Sequence, residues 1–232
     1  MKETTVLGSG PSSNGYKLKT ESVIVPNRSI LLPEILNTEE VIWVCGLDVK
    51  PKGIRFQFDN VIEEIKNSKA PHPKRVFLRH EYRNNKKSNL NLEKKKAAII
   101  ESFPESSLTI LDPRETSLVQ HIHRSNYSRT RKFPSYAPTS AGICAVYVAL
   151  EVLKCEKIYV AGIEMSITQK HKAYHPSLIL EKKEGFTDYY GAGEGHLDAD
   201  ANYFRRIDKK NQLKRINPVE HSGLYEFIKK LK

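Results

Sequence analysis

Cysteine is scarce: three in 232 residues, Cys45, Cys144 and Cys155. Three thiols do not build a disulfide framework. Each lies in an apolar run, which predicts buried, reduced cysteines and a cytoplasmic compartment. Long hydrophobic runs are missing as well. No stretch approaches the roughly 18 apolar residues of a membrane span, and the N-terminus carries no apolar signal region. Neither a spanning helix nor a signal peptide is expected. Acidic residues are outnumbered, 27 Asp+Glu against 38 Lys+Arg, for a formal net charge of +11. That balance points to anionic partners: nucleic acid, an anionic membrane surface or phosphorylated substrates. Several catalytic signatures are also lacking. There is no Gly-Lys-Ser/Thr phosphate loop, no G-x-S-x-G elbow, no H-E-x-x-H and no Cys-x-x-Cys. His121-x-His123 and the pair His171 and His175 have no cysteine or carboxylate to complete a cage, so no metal is expected.

What is present is an ordinary globular composition, 39% hydrophobic and 28% charged, in a length that fits one domain. Charge is uneven. Lys66 to Lys96 holds eleven Lys/Arg against two acids, Glu81 and Glu93, and so carries most of the net positive charge. It reads as a basic insertion or lid-like region, around 66–96, entering a basic helix. Arg124, Arg129, Arg131 and Lys132 form a second basic cluster.

Short apolar runs alternate with helical windows. Strands are expected at Thr4–Leu7, Ser22–Val25, Glu40–Cys45, Arg75–Leu78, Leu108–Leu111 and Lys157–Val160. Helices are expected at Phe58–Asn67, Lys94–Ser102, Thr139–Leu153, Tyr203–Asp208 and Leu224–Leu231. Nearly continuous apolar strands separated by helices predict an α/β fold, a mainly parallel sheet with helices on both faces. The last helix sets Leu224, Phe227, Ile228 and Leu231 beside Lys229, Lys230 and Lys232. That spacing fits either an interfacial helix or a terminal helix packed on the sheet.

Ligands of parallel sheets bind at the carboxyl ends of strands, and the candidate residues follow predicted strands. Gly8-Ser9-Gly10-Pro11-Ser12 comes directly after the first. Its glycines would let backbone N–H groups approach a phosphate, and its hydroxyls can donate as well. Pro11 interrupts any dinucleotide fingerprint. Asn27 ends the second strand, where an amide can read a base or a ribose. Thr139-Ser140 opens the long apolar helix, as a cap or as a phosphate contact. His196 lies in the glycine-bearing stretch Gly193–Asp200. Imidazole suits a general base near neutral pH, and Asp198 or Asp200 is close enough in sequence to orient it.

Taken in order, these pieces resemble the bacterial sialyltransferases of glycosyltransferase family 42, which modify lipo-oligosaccharides. The resemblance runs through the Gly8–Ser12 loop, Pro26-Asn27, Thr139-Ser140 with Cys144-Ala145-Val146, the stretch Glu156–Glu164, and Gly195-His196. It implies a single modified Rossmann-like domain, often tetrameric, that binds CMP-sialic acid without a divalent metal or other cofactor. By position, the Gly8–Ser12 loop would lie under the nucleotide, and Asn27 and Ser140 would contact cytidine monophosphate. Tyr174 would donate to the leaving phosphate, and His196 would deprotonate the acceptor hydroxyl. The acceptor would be a glycan or glycolipid. A basic surface would suit a phosphorylated glycolipid at the cytoplasmic face of the inner membrane. Two positions depart from the family pattern. Ser166 stands where the first of two tyrosines is expected, and Cys45-Gly46-Leu47-Asp48 stands where an asparagine is expected.

Two other classes fit parts of the sequence. One is another nucleotide-using enzyme on the same fold. The other is a basic nucleic-acid-binding protein using Lys66–Lys96 and Arg124–Lys132, with Phe77, Tyr82, Tyr127 and Phe133 to stack on bases.

Overall fold

Strand β1 (Glu3–Leu7) lies inside a seven-stranded sheet in which every pairing is parallel. The computed structural model describes residues 2–47, 58–80, 86–112, 119–121, 136–165 and 194–231. In chain order the sheet continues with β2 (Ser22–Pro26), β3 (Glu40–Cys45), β4 (Arg75–Arg79) and β5 (Ser107–Leu111). A separate two-stranded antiparallel pair, β6 (Val119–His121) and β7 (Tyr136–Pro138), precedes β8 (Lys157–Ala161) and β9 (Ile216–Pro218). The spatial order is β5-β4-β3-β2-β1-β8-β9. The chain therefore builds outward from β1 to one side, then returns to lay β8 against its other flank. The crevice at the carboxyl ends of β1 and β8 is the topological switch point of this Rossmann-like α/β domain, the place where such sheets bind ligands.

The side-chain period of two divides each strand between two cores. Val6, Ile24, Ile42, Val44 and Phe77 face one side, where they pack with α3 (Ala141–Tyr147), α4 (Glu194–Lys209) and α5 (Gly223–Leu231). Val23, Val25, Val41, Trp43, Val76 and Leu78 face the other. There they meet the short helical turns at Asn27–Leu31 and Pro33–Ile35, with α1 (Phe58–Asn67) and α2 (Lys86–Ser102). Trp43 is fully buried, stacked on Phe58 and edge-on to Phe103, with ring centroids 6.3 Å away in both cases. Burial on both faces is why these strands read as unbroken apolar runs.

All three cysteines are buried and free, as the sequence predicts. α5 packs its apolar face on the core: Leu224 and Ile228 are buried, Phe227 and Leu231 pack against the core, and Lys229 and Lys230 are exposed. The basic stretch at 66–96 supplies β4 and much of α2, elements of the sheet and its cover; residues 81–85 within it lie outside the described residues. Other boundaries differ from expectation. α2 begins at Lys86, earlier than Lys94. The helix expected over Thr139–Leu153 is α-helical from Ala141 to Tyr147 and then forms a π-helical turn, Val148–Val152. α4 spans Glu194–Lys209, so His196 belongs to a helix and not to a glycine-rich loop. Among the described residues no helix is long and apolar enough to cross a membrane.

Candidate functional site

At the switch point the two strand ends are in backbone contact. A Cβ on Gly8 would stand 2.2 Å from the Gly162 carbonyl oxygen, and one on Gly162 would stand 2.1 Å from that of Gly8. Gly162 also has φ +70°, which a side chain would strain. These glycines therefore permit a close approach of chain to chain. The amide hydrogens of the loop are correspondingly occupied. Gly8 N–H donates to the Ala161 carbonyl at 2.8 Å and Gly10 N–H to that of Gly162 at 2.9 Å. Ser12 N–H donates to Glu164 Oε1 at 2.9 Å, while the Ser12 hydroxyl oxygen accepts from Gly162 N–H at 2.8 Å. Pro11 has no N–H to give. The sequence pattern assigns these donors to a phosphate; in the structure, three of them serve the protein itself. Half-buried Ser9 enters none of these bonds.

Glu164 explains the arrangement. It follows β8, is only 7% exposed, and spends its second oxygen on Gly223 N–H at 2.8 Å. One carboxylate thus ties the β1 loop to the start of α5. Charge-assisted bonds to a buried and a part-buried amide are worth more than neutral ones. Glu164→Gln turns an amide NH2 toward one of those donors and is expected to cost about 1–3 kcal/mol. The measurement is the urea midpoint. An unchanged midpoint at unchanged slope would mean that the carboxylate does not hold the two elements together.

A second set of contacts runs across the carboxyl ends of β2, β3 and β4. Asn27 has φ +46°, a region that asparagine tolerates better than most residues. Its carbonyl accepts from Trp43 Nε1–H at 2.8 Å, and its Oδ1 accepts from Gly46 N–H at 2.7 Å. Its Nδ2 carries no partner among the described residues. Gly46 lies under the Arg79 guanidinium; a Cβ there would come within 3.2 Å of it. Arg79 donates to the Thr139 carbonyl at 2.7 Å. The next residue, Ser140, caps α3 by accepting from Ile143 N–H at 3.3 Å, and its own N–H donates to Asp200 Oδ1 at 2.8 Å. Asn27, Thr139 and Ser140, expected separately from sequence, are thereby joined through Gly46 and Arg79. The Thr139 hydroxyl is buried without a hydrogen-bond partner.

The electrostatics of this cluster follow from burial. Asp200 is 3% exposed, and desolvation pushes its carboxyl from 3.8 up to about 7, against the opposing pull of the Ser140 hydrogen bonds and the Arg79 charge. Desolvation likewise raises the Cys144 thiol to about 11, with Arg79 opposing, so this cysteine is an unreactive thiol at neutral pH. His196 stands one helical turn before Asp200 on α4. Tyr174, Ser166 and Asp48 lie outside the described residues, as does the Arg124–Lys132 cluster. Among the described residues no group of three or more His, Cys, Asp or Glu gathers as a metal site.

Sequence reasoning passes over Arg79, Gly46 and Glu164 as site-forming residues. Each lies at the carboxyl end of a strand or within three residues past it, the one signal that could have marked them. No protein-family model, curated protein or solved structure matches the chain.

Proposed function

We propose that the chain is an inverting, metal-independent glycosyltransferase that uses a CMP-activated sugar of the sialic acid class, with a glycan or glycolipid acceptor. The observation that carries this reading is the junction of Asn27 with Thr139-Ser140 through Gly46 and Arg79 at the carboxyl ends of a parallel sheet. That is where the resemblance in sequence requires the nucleotide to sit, on the same carboxyl edge of the sheet as the β1–β8 switch point. In the reaction the acceptor oxygen attacks the anomeric carbon from the face opposite the phosphate. The C–O bond to phosphate breaks and CMP departs with the electron pair. His196 takes the acceptor proton, and Tyr174 donates to the departing phosphate, because charge develops on both oxygens.

The test is a thermal-shift panel with CMP, CDP, UMP, UDP, AMP, GDP and NAD, each with and without EDTA. A ligand at 100 times its Kd adds about 2.7 kcal/mol, a shift on the order of 5–10 °C for a chain of this size. Selective stabilisation by CMP, unchanged by EDTA, is the expected result and leads to turnover assays with CMP-sialic acid. No CMP shift, or a larger one with another nucleotide, removes the donor assignment.

A further inference from the structure

We propose that Arg79 is the anion receptor of this site, its guanidinium meeting the phosphate of the bound nucleotide. The inference rests on the donor reading above for the identity of the ligand, and on local geometry for the role of the arginine.

Arg79 ends β4, so its side chain leaves the sheet on the ligand-binding edge. It faces the α3 side, since Phe77, two residues earlier, packs in that core. It is half-buried, yet among the described residues no carboxylate forms an ion pair with it. Asp200 feels its charge, but Asp200 Oδ1 is already engaged by Ser140 N–H and its burial favours the neutral form. Two contacts position the guanidinium: the Thr139 carbonyl and the Cys144 thiol. An arginine has five N–H donors in a planar fork, so donors remain for a bidentate oxyanion. Gly46 leaves the guanidinium uncrowded, because any side chain there would press on it.

A partly desolvated cation with no ion-paired carboxylate among the described residues is costly, and an incoming oxyanion lowers that cost. The neighbours have matching chemistry. Asn27 Nδ2 is an uncommitted donor one contact away through Gly46, and Ser140 follows the carbonyl that holds Arg79. The Gly8–Ser12 loop has meanwhile committed most of its amides internally. The fixed positive charge of this site therefore comes from β4 and not from the glycine loop.

The experiment measures Kd for CMP, cytidine and inorganic pyrophosphate on the wild-type chain, Arg79→Gln and Arg79→Lys. Arg79→Gln is expected to weaken CMP at least tenfold and to leave cytidine within twofold, with Arg79→Lys between wild type and Gln. Raising salt should weaken CMP and not cytidine on the wild-type chain, a readout that needs no variant to fold. Unchanged CMP binding in Arg79→Gln overturns the proposal. So does an equal loss of CMP and cytidine, which would make the arginine only a tether for Thr139. If the wild-type chain binds neither CMP nor cytidine, the donor reading fails separately. Pyrophosphate binding that Arg79→Gln abolishes would then still uphold the anion receptor, and its absence from the wild-type chain would end it.

Discussion

His196→Ala is expected to lower transfer from a CMP-sugar by about 10²–10⁴-fold, the usual worth of a positioned general base. The acceptor hydroxyl cannot keep its proton as its oxygen bonds to carbon, and imidazole titrates in the right range to take it. His196 shares α4 with the residue that anchors this helix to its neighbour. One turn later on α4, Asp200 accepts from Ser140 N–H and ties the helix to the start of α3, beside the proposed nucleotide site. Because the base meets the acceptor and not the donor, CMP affinity in the variant should stay within about twofold, and the melting temperature within a few degrees. Full transfer activity in a folded His196→Ala chain would remove the histidine from the mechanism. A parallel loss of CMP affinity would place it instead among the donor contacts.

The parallel sheet is legible because strands buried on both faces have no polar alternation to confuse with anything else. EVIWVC and KIYV are nearly all apolar, and they form β3 and β8. β9 is invisible for the opposite reason. Ile216-Asn217-Pro218 has one apolar residue and a proline, a composition that fits its place as the last strand at the sheet edge. The glycines before His196 read as a loop, yet the helix starts at Glu194. Asp200, Tyr203, Phe204 and Ile207 recur at helical spacing and are all buried, so the packed face overrides the low helix propensity of Gly195. α2 reads too short because its first two turns, Lys86–Glu93, are polar and present Leu90 to solvent.

The candidate site is half legible. Gly8–Ser12, Asn27 and Thr139-Ser140 are marked by their places after strands or before a helix. What they do individually is not. The glycine loop looks the same in sequence whether its amides point at a phosphate or at Glu164, because the competing carboxylate lies in a distant segment. Arg79 is hidden by company: among the eleven Lys/Arg of Lys66–Lys96 it reads as one more solvated charge. Only the register of β4, which pairs Val44 with Phe77 and Cys45 with Leu78, shows that this cation leaves the sheet beside Gly46.

Asp200 makes the stability of the chain depend on pH in a direction that a replacement can reverse. Its carboxyl moves from 3.8 in the unfolded chain to about 7 in the folded one, with burial as the cause. The folded state therefore holds this proton more tightly, and the stabilisation is complete below about pH 4. It is lost as pH rises toward 7 and is gone above it, an interval worth roughly 4 kcal/mol. Asp200→Asn keeps an oxygen for Ser140 N–H and an NH2 for the Ser140 hydroxyl, and it has no charge to desolvate. The variant should match the wild-type chain below about pH 4, exceed it by roughly 1–2 kcal/mol at pH 5, and exceed it at pH 8 by up to the full amount. Urea midpoints of the two proteins at these pH values decide the matter, since every other titrating group contributes equally to each. A difference that does not change between pH 5 and pH 8 would mean that Asp200 is ionised in the folded chain throughout, with Arg79 as its effective counter-ion. The guanidinium would then be less open to an incoming phosphate, so the same titration also bears on the anion receptor.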